Sequence, residues 1–140
     1  MLKNFAFIII GFALSVPAYG FTTDKIEVGQ QDQPAKTIIS NLIRSNLASV
    51  DDHEVIMTKV EMPAGATIPK HTHPTEEFFY VIEGETTLKI DGQAEQTYAA
   101  GTAGKIPAET THSARGGPNG MTIMVFRVHK KGEPERTLIE

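Results

Sequence analysis

The chain has no cysteine. Disulfides, thiolate catalysis and sulfur-rich metal sites are therefore excluded, and any metal must be held by nitrogen and oxygen. It has no basic cluster, and its formal net charge is -4, so nothing in it points to nucleic acid as a partner. No apolar run reaches the roughly 20 residues that a bilayer span needs. Internal repeats and low-complexity segments are absent. What 140 residues with 40% hydrophobic and 21% charged side chains do allow is one soluble domain with a hydrophobic core.

The longest apolar run, Phe5 to Leu14, follows Lys3 and precedes Val16-Pro17-Ala18 and Ala18-Tyr19-Gly20. That order of charge, apolar run and small residues predicts a secretory signal peptide over residues 1–20, cleaved after Ala18 or Gly20. Cleavage after Gly20 removes Lys3 as the only charged residue, so the mature net charge becomes -4 - 1 = -5. No stop-transfer pattern follows, and without cysteine no lipid can be attached after the run. The expected location is the periplasm or the medium, with no membrane anchor after cleavage.

Residues 21–50 are read as an N-terminal arm, polar as far as Gln33-Pro34. Within it, Thr37 to Leu47 fits either a helix or a twisted strand. Residues 51–140 are read as one β domain. Val55 to Met62 alternates and stops at Pro63-Ala64-Gly65. Phe78 to Ile82 and Thr86 to Ile90 follow, then Asp91-Gly92 signals a hairpin turn, with Gln93 to Tyr98 returning. Thr110 to Ala114 and Met121 to Val128 are further strands, separated by a loop over 115–120, and Thr137 to Ile139 can add a short one. Short strands at regular spacing, with no convincing helix between them, predict an all-β antiparallel sandwich or barrel. Phe79 and Val81 share a face with Glu77, while Phe78, Tyr80 and Ile82 share the other. A strand apolar on both faces is buried on both, which predicts a homodimer.

The chemistry concentrates between Gly65 and Gly84. His71 and His73 point the same way in a strand, and Glu77 joins them if the strand resumes in step after Pro74. Two imidazoles and a carboxylate suit a divalent transition metal. Glu76 competes with Glu77, but parity favours Glu77. His112 follows in a second segment punctuated by Gly101 and Pro107. His53 and His129 are read as surface or hydrogen-bonded histidines, and Met57, Met62, Met121 and Met124 as barrel filling.

This pattern resembles the cupin family. The first cupin motif is glycine, five residues, His-x-His, three or four residues, glutamate, six residues, glycine. Gly65, His71, His73, Glu77 and Gly84 meet every fixed position. The second motif is met by Gly101, Pro107 and His112, with Glu109 standing where the family has glycine and Gly116 where it has asparagine. The resemblance covers roughly residues 50 to 130. It implies a double-stranded β-helix, or jelly-roll barrel, with His71, His73, Glu77 and His112 as metal ligands. Iron, manganese, zinc, nickel and copper all suit that set.

The expected function is a metal-dependent dioxygenase, isomerase or lyase acting on a small organic molecule in the barrel. The alternative is a non-catalytic module that binds a metal or small ligand. Tyr80, Lys59 and Arg127 are candidate acids or bases, with no assigned direction. A purely structural metal is disfavoured, because structural sites are usually closed and rich in sulfur.

Overall fold

A computed structural model describes residues 35–140 of the chain. The predicted leader, its cleavage sites and most of the polar arm lie outside these residues. No helix occurs among the described residues. Eight strands follow in order: β1 (Ile38–Asn46), β2 (His53–Met62), β3 (Thr67–Thr72), β4 (Glu77–Ile90), β5 (Gln96–Ala99), β6 (Ala103–Ile106), β7 (His112–Lys130) and β8 (Thr137–Leu138). All their pairings are antiparallel, in the order β1-β2-β7-β3-β8, with β4 also paired to β5, β6 and β7. The segment that fits helix or strand from sequence is β1, and it runs along β2 from Ile38–Glu61 to Asn46–Glu54.

Alternation along β2 decides which face is inside. Glu54, Ile56, Thr58, Val60 and Met62 are buried, while the residues between them are half-exposed. The same parity holds at the start of β4, where Phe79 and Val81 are buried and Phe78, Tyr80 and Ile82 are not. The core gathers Val60, Met62, Phe79, Val81, Leu88, Ile106, Met121, Ile123 and Val125. Each such side chain contributes about 1.5–3 kcal/mol when fully buried. Phe79 also meets Tyr98 edge-on, with centroids 4.9 Å apart. Of the four methionines expected as filling, Met62 and Met121 are in this core, whereas Met57 and Met124 lie on the half-buried outer face.

Two long strands give the molecule its curvature. The C-terminal part of β7 pairs with β2 and with the first half of β4. Its N-terminal part pairs with β3 and the second half of β4. Between them the ladder jumps: Gly84 faces Met121, and Thr86 faces Gly116. Gly117 to Gly120 are therefore a bulge inside one strand, where the sequence predicts a loop between two. The backbones at the bend are in close contact. A Cβ on Gly84 would overlap the Gly120 carbonyl, and one on Gly120 would lie 2.5 Å from the Met62 carbonyl oxygen. Both glycines have positive φ, 70° and 78°. The glycine-rich run thus bends β7 without ending it.

The bend is what makes a site. His112 and Arg127 are 127 - 112 = 15 residues apart on β7. On a straight strand that is about 50 Å. In the folded chain both line one cavity of about 330 Å³.

Candidate metal centre

Strand β3 carries His71, and its register places His71 directly opposite His112 at the start of β7. Their rings are 4.2 Å apart between centroids. His73 follows just beyond β3, with its ring 4.8 Å from His71 and 5.4 Å from His112. All three are buried, and one nitrogen from each lies within 4.8 Å of the others, a cluster that can hold a metal ion.

Each ring is aimed by its own backbone bond. His71 Nδ1 donates to the Pro69 carbonyl at 2.8 Å, His112 Nδ1 to the Thr110 carbonyl at 2.8 Å, and His73 Nδ1 to the Glu135 carbonyl at 2.5 Å. A carbonyl only accepts, so Nδ1 of His71 and of His112 carries the proton and their Nε2 atoms keep the lone pair; His73 Nδ1 also lies 3.0 Å from Arg127 Nη1. Such backbone bonds are the outer support that metal-binding histidines ordinarily have. Nε2 of His73 and of His112 are buried without a hydrogen-bond partner. Leaving such an atom unsatisfied costs about 1–3 kcal/mol, and a cation between the rings would remove that cost. The residues present therefore fit a divalent metal.

Glu77 opens β4 and lines the same cavity, its side chain only 12% exposed. Its Oε2 is 3.0 Å from His73 Nε2. Glu76, the competing carboxylate, is exposed. The interior sets the charges. Burial pushes His71 down to about 4, and the neighbouring His112 and His73 act in the same direction. Burial likewise holds His112 below its ordinary value. For Glu77, burial alone would raise the pKa; the adjacent His73 and the Arg127 guanidinium outweigh it and hold the carboxyl below its usual range. Near neutral pH the site thus offers neutral imidazoles at His71 and His112 and a carboxylate at Glu77.

Of the three candidate acids and bases, only Arg127 lines the cavity. Tyr80 sits on the outer face at 49% exposure, and the Lys59 ammonium pairs with Glu61 at 2.8 Å. Both have the outward parity of their strands. His53 bonds to Asp52, and buried His129 bonds to the Glu133 carbonyl at 3.0 Å. The residue that sequence reasoning missed is Glu135. It lies between β7 and β8, and its carbonyl accepts from both His73 Nδ1 and Arg127 Nη1. No local pattern marks it, because the contact spans 135 - 73 = 62 residues.

The second motif's two departures also have a physical outcome. Glu109 adopts φ 56°, the left-handed conformation that glycine takes without strain, and its amide donates to the His73 carbonyl at 2.8 Å. The turn keeps its shape despite the missing glycine. At Gly116, a Cβ would come within 2.8 Å of the Pro63 carbonyl, so a larger residue does not fit as β7 runs here.

Comparison with known proteins agrees with this architecture. A family model described as the cupin domain matches residues 49–125. A cupin-like protein of Thermotoga maritima is similar in structure, with TM-score 0.60 and 16% identity over 74% of this chain and 75% of that one. A cupin superfamily protein of Desulfitobacterium hafniense gives TM-score 0.58 and 13% identity over 68% and 79% of the two chains. A DMSP lyase of Ruegeria pomeroyi gives TM-score 0.55 and 20% identity over 74% and 60%. No curated protein matches the sequence.

Proposed function

The chain belongs to the cupin domain family, and from that premise we propose that it is a metal-dependent cupin acting on a small organic molecule. His71, His73, His112 and Glu77 would hold one divalent transition metal. The observation that carries this reading is the convergence of three backbone-braced imidazoles, two of them with orphaned Nε2 atoms, on one cavity. Four protein ligands leave room on a six-coordinate ion, and the ion would supply Lewis acidity there. The remaining lining is largely apolar, with Ile68, Phe79, Leu88 and Ile123 among it, as small-molecule sites usually are. The fold's relatives include a lyase, which supports turnover as a reading without naming this chain's substrate.

Elemental analysis of protein purified without added metal tests the first half. His73→Ala should abolish stoichiometric metal; content staying near one ion per chain in that variant would show the ligand assignment to be wrong. Oxygen uptake, or turnover of a substrate panel by the loaded protein, tests the second half. Tight ligand retention without turnover would favour a binding module. One observation supports that alternative: Tyr80 and Lys59 are turned away from the cavity.

Two further elements complete the proposal. A homodimer is supported by the outer sheet face, where Ile43, Met57, Phe126 and Phe78 stand side by side across β1, β2, β7 and β4. Tyr80 and Ile82 continue it at 49% and 41% exposure. A monomeric mass by light scattering across micromolar concentrations would sink it. Export is supported by the apolar leader alone, and N-terminal sequencing of the mature protein should begin at Tyr19 or Phe21.

A further inference from the structure

Arg127 is 6% exposed and lines the metal cavity beside His73, yet its hydrogen bonding is incomplete. Nη1 donates to the Glu135 carbonyl at 3.2 Å and lies 3.0 Å from His73 Nδ1. Nη2 reaches the Glu135 carboxylate only at 3.4 Å, and Nε is buried without a partner. Its cross-strand neighbour Glu77 is engaged with His73. The other oxygen of Glu135, Oε1, pairs with Arg44 of β1, which Glu54 holds at 2.6 Å. One carboxylate, supplied by the segment ahead of β8, therefore lies between two guanidiniums beside the cavity, and it is 34% exposed.

We propose that Arg127, with Arg44, recognises the carboxylate of a small organic ligand, and that the Glu135 side chain occupies this place until the ligand displaces it. The proposal rests on the reading of the cavity as a small-molecule site. The guanidinium fork matches a planar carboxylate, and Arg127 has donor capacity that Glu135 leaves unused. Charge points the same way. The lining carboxylates Glu77 and Glu135 cancel the lining guanidiniums Arg127 and Arg136, so a bound divalent ion leaves two positive charges, which favour an anion. The tasks of Glu135 are separable as well: its carbonyl braces His73, while its carboxylate faces the arginines. The side chain can swing out while the carbonyl stays in place. Ile39, Val60, Ile68 and Leu88 offer apolar wall for a short carbon skeleton.

The test is binding calorimetry on the full chain, zinc-loaded and zinc-free, with butanoate and its uncharged counterpart butanamide. Butanoate should bind the loaded protein about tenfold more tightly than butanamide. Glu135→Gln removes the internal competitor and should tighten butanoate about threefold or more. Arg127→Gln should weaken butanoate about tenfold and leave butanamide unchanged, and Arg127→Lys, which keeps the charge and loses the fork, should fall between. Equal affinities for the two probes in wild type and in Glu135→Gln would overturn the proposal. So would full butanoate affinity in Arg127→Gln, which would assign the anion to the metal alone. Should Arg127→Gln not fold, the Glu135→Gln comparison decides, and no gain overturns it. Zinc content measured on the same samples keeps the two readings apart. One zinc per chain without carboxylate preference defeats this inference only. A chain that takes up none of zinc, iron, manganese, nickel and copper defeats the metal reading, and the metal-free titration then still tests Arg127.

Discussion

The two polar parts of the cavity wall are built differently. His71, His73 and His112 are each aimed by a hydrogen bond to a main-chain carbonyl. Arg127 is held partly by the side chain of Glu135, whose carboxylate it shares with Arg44. A ring braced on backbone cannot reorient without breaking that bond or moving main chain, so it is preorganised. A guanidinium braced on a half-exposed carboxylate can exchange its partner. Under the two proposals above, one part would hold a resident ion and the other would exchange its partner for a ligand. They meet at Glu135, which serves the first with its carbonyl and the second with its carboxylate.

The most damaging way to break this contrast is to abolish both parts together at the bend of β7. Gly120→Ala should destabilise the fold by about 3 kcal/mol or more, since a Cβ meets the Met62 carbonyl oxygen and φ is 78°. Denaturant unfolding measures it, and an unchanged midpoint would mean that the bend tolerates a side chain. Metal affinity should fall along with stability, because His112 and Arg127 share that strand.

Acid should act on the histidine part of the wall through His71. His71 is held down to about 4 in the folded chain against an ordinary value of 6.5. The unfolded chain therefore binds its proton first, and unfolding becomes easier as protons are added. Stability of the metal-free protein should be full above about 6.5, decline as pH falls and reach its loss near 4. Glu77, held below its ordinary carboxylate value, adds a further loss in more acid solution. His71→Gln should flatten the decline between 6.5 and 4 in thermal melts across pH. Bound metal should be released over the same range, because protons compete for the same nitrogens. A profile in the variant as steep as wild type would contradict the assignment of that window to His71.

The smallest effect belongs to a position outside both parts. Glu109→Gly should stabilise the chain by about 0.5–1 kcal/mol, because the left-handed conformation costs a residue with a Cβ about 1–2 kcal/mol and glycine returns part of that gain as chain entropy. Metal content should not change. A lower melting temperature would show that the Glu109 side chain contributes contacts that outweigh its strain.

Much of this was legible in the residues. Period-two alternation along β2 is visible in the residues, whereas β4 reads as apolar on both faces, and only the fold separates buried Phe79 and Val81 from exposed Phe78, Tyr80 and Ile82. The spacing of His71 and His73 pointed to a site, the cupin resemblance added His112, and the three do converge. Glycine-rich punctuation at 115–120 was also visible, but its meaning was not. It read as a loop between strands, and it is a bulge that bends one strand. Local sequence shows that a backbone can turn there; it does not show that β4 continues alongside and keeps both halves paired.

What the sequence determined by itself is whatever depends on neighbours in the chain: strand parity, the Asp91-Gly92 hairpin turn, and the exclusion of sulfur from the site. Tertiary structure alone decided which long side chains face the cavity. Arg127 does and Lys59 and Tyr80 do not, and Glu135 reaches His73 across 62 residues of sequence. The reason is geometric. Parity is set within a few residues by the pleat. The partner that completes a buried charge is set by how two distant segments come together, and no local pattern encodes that.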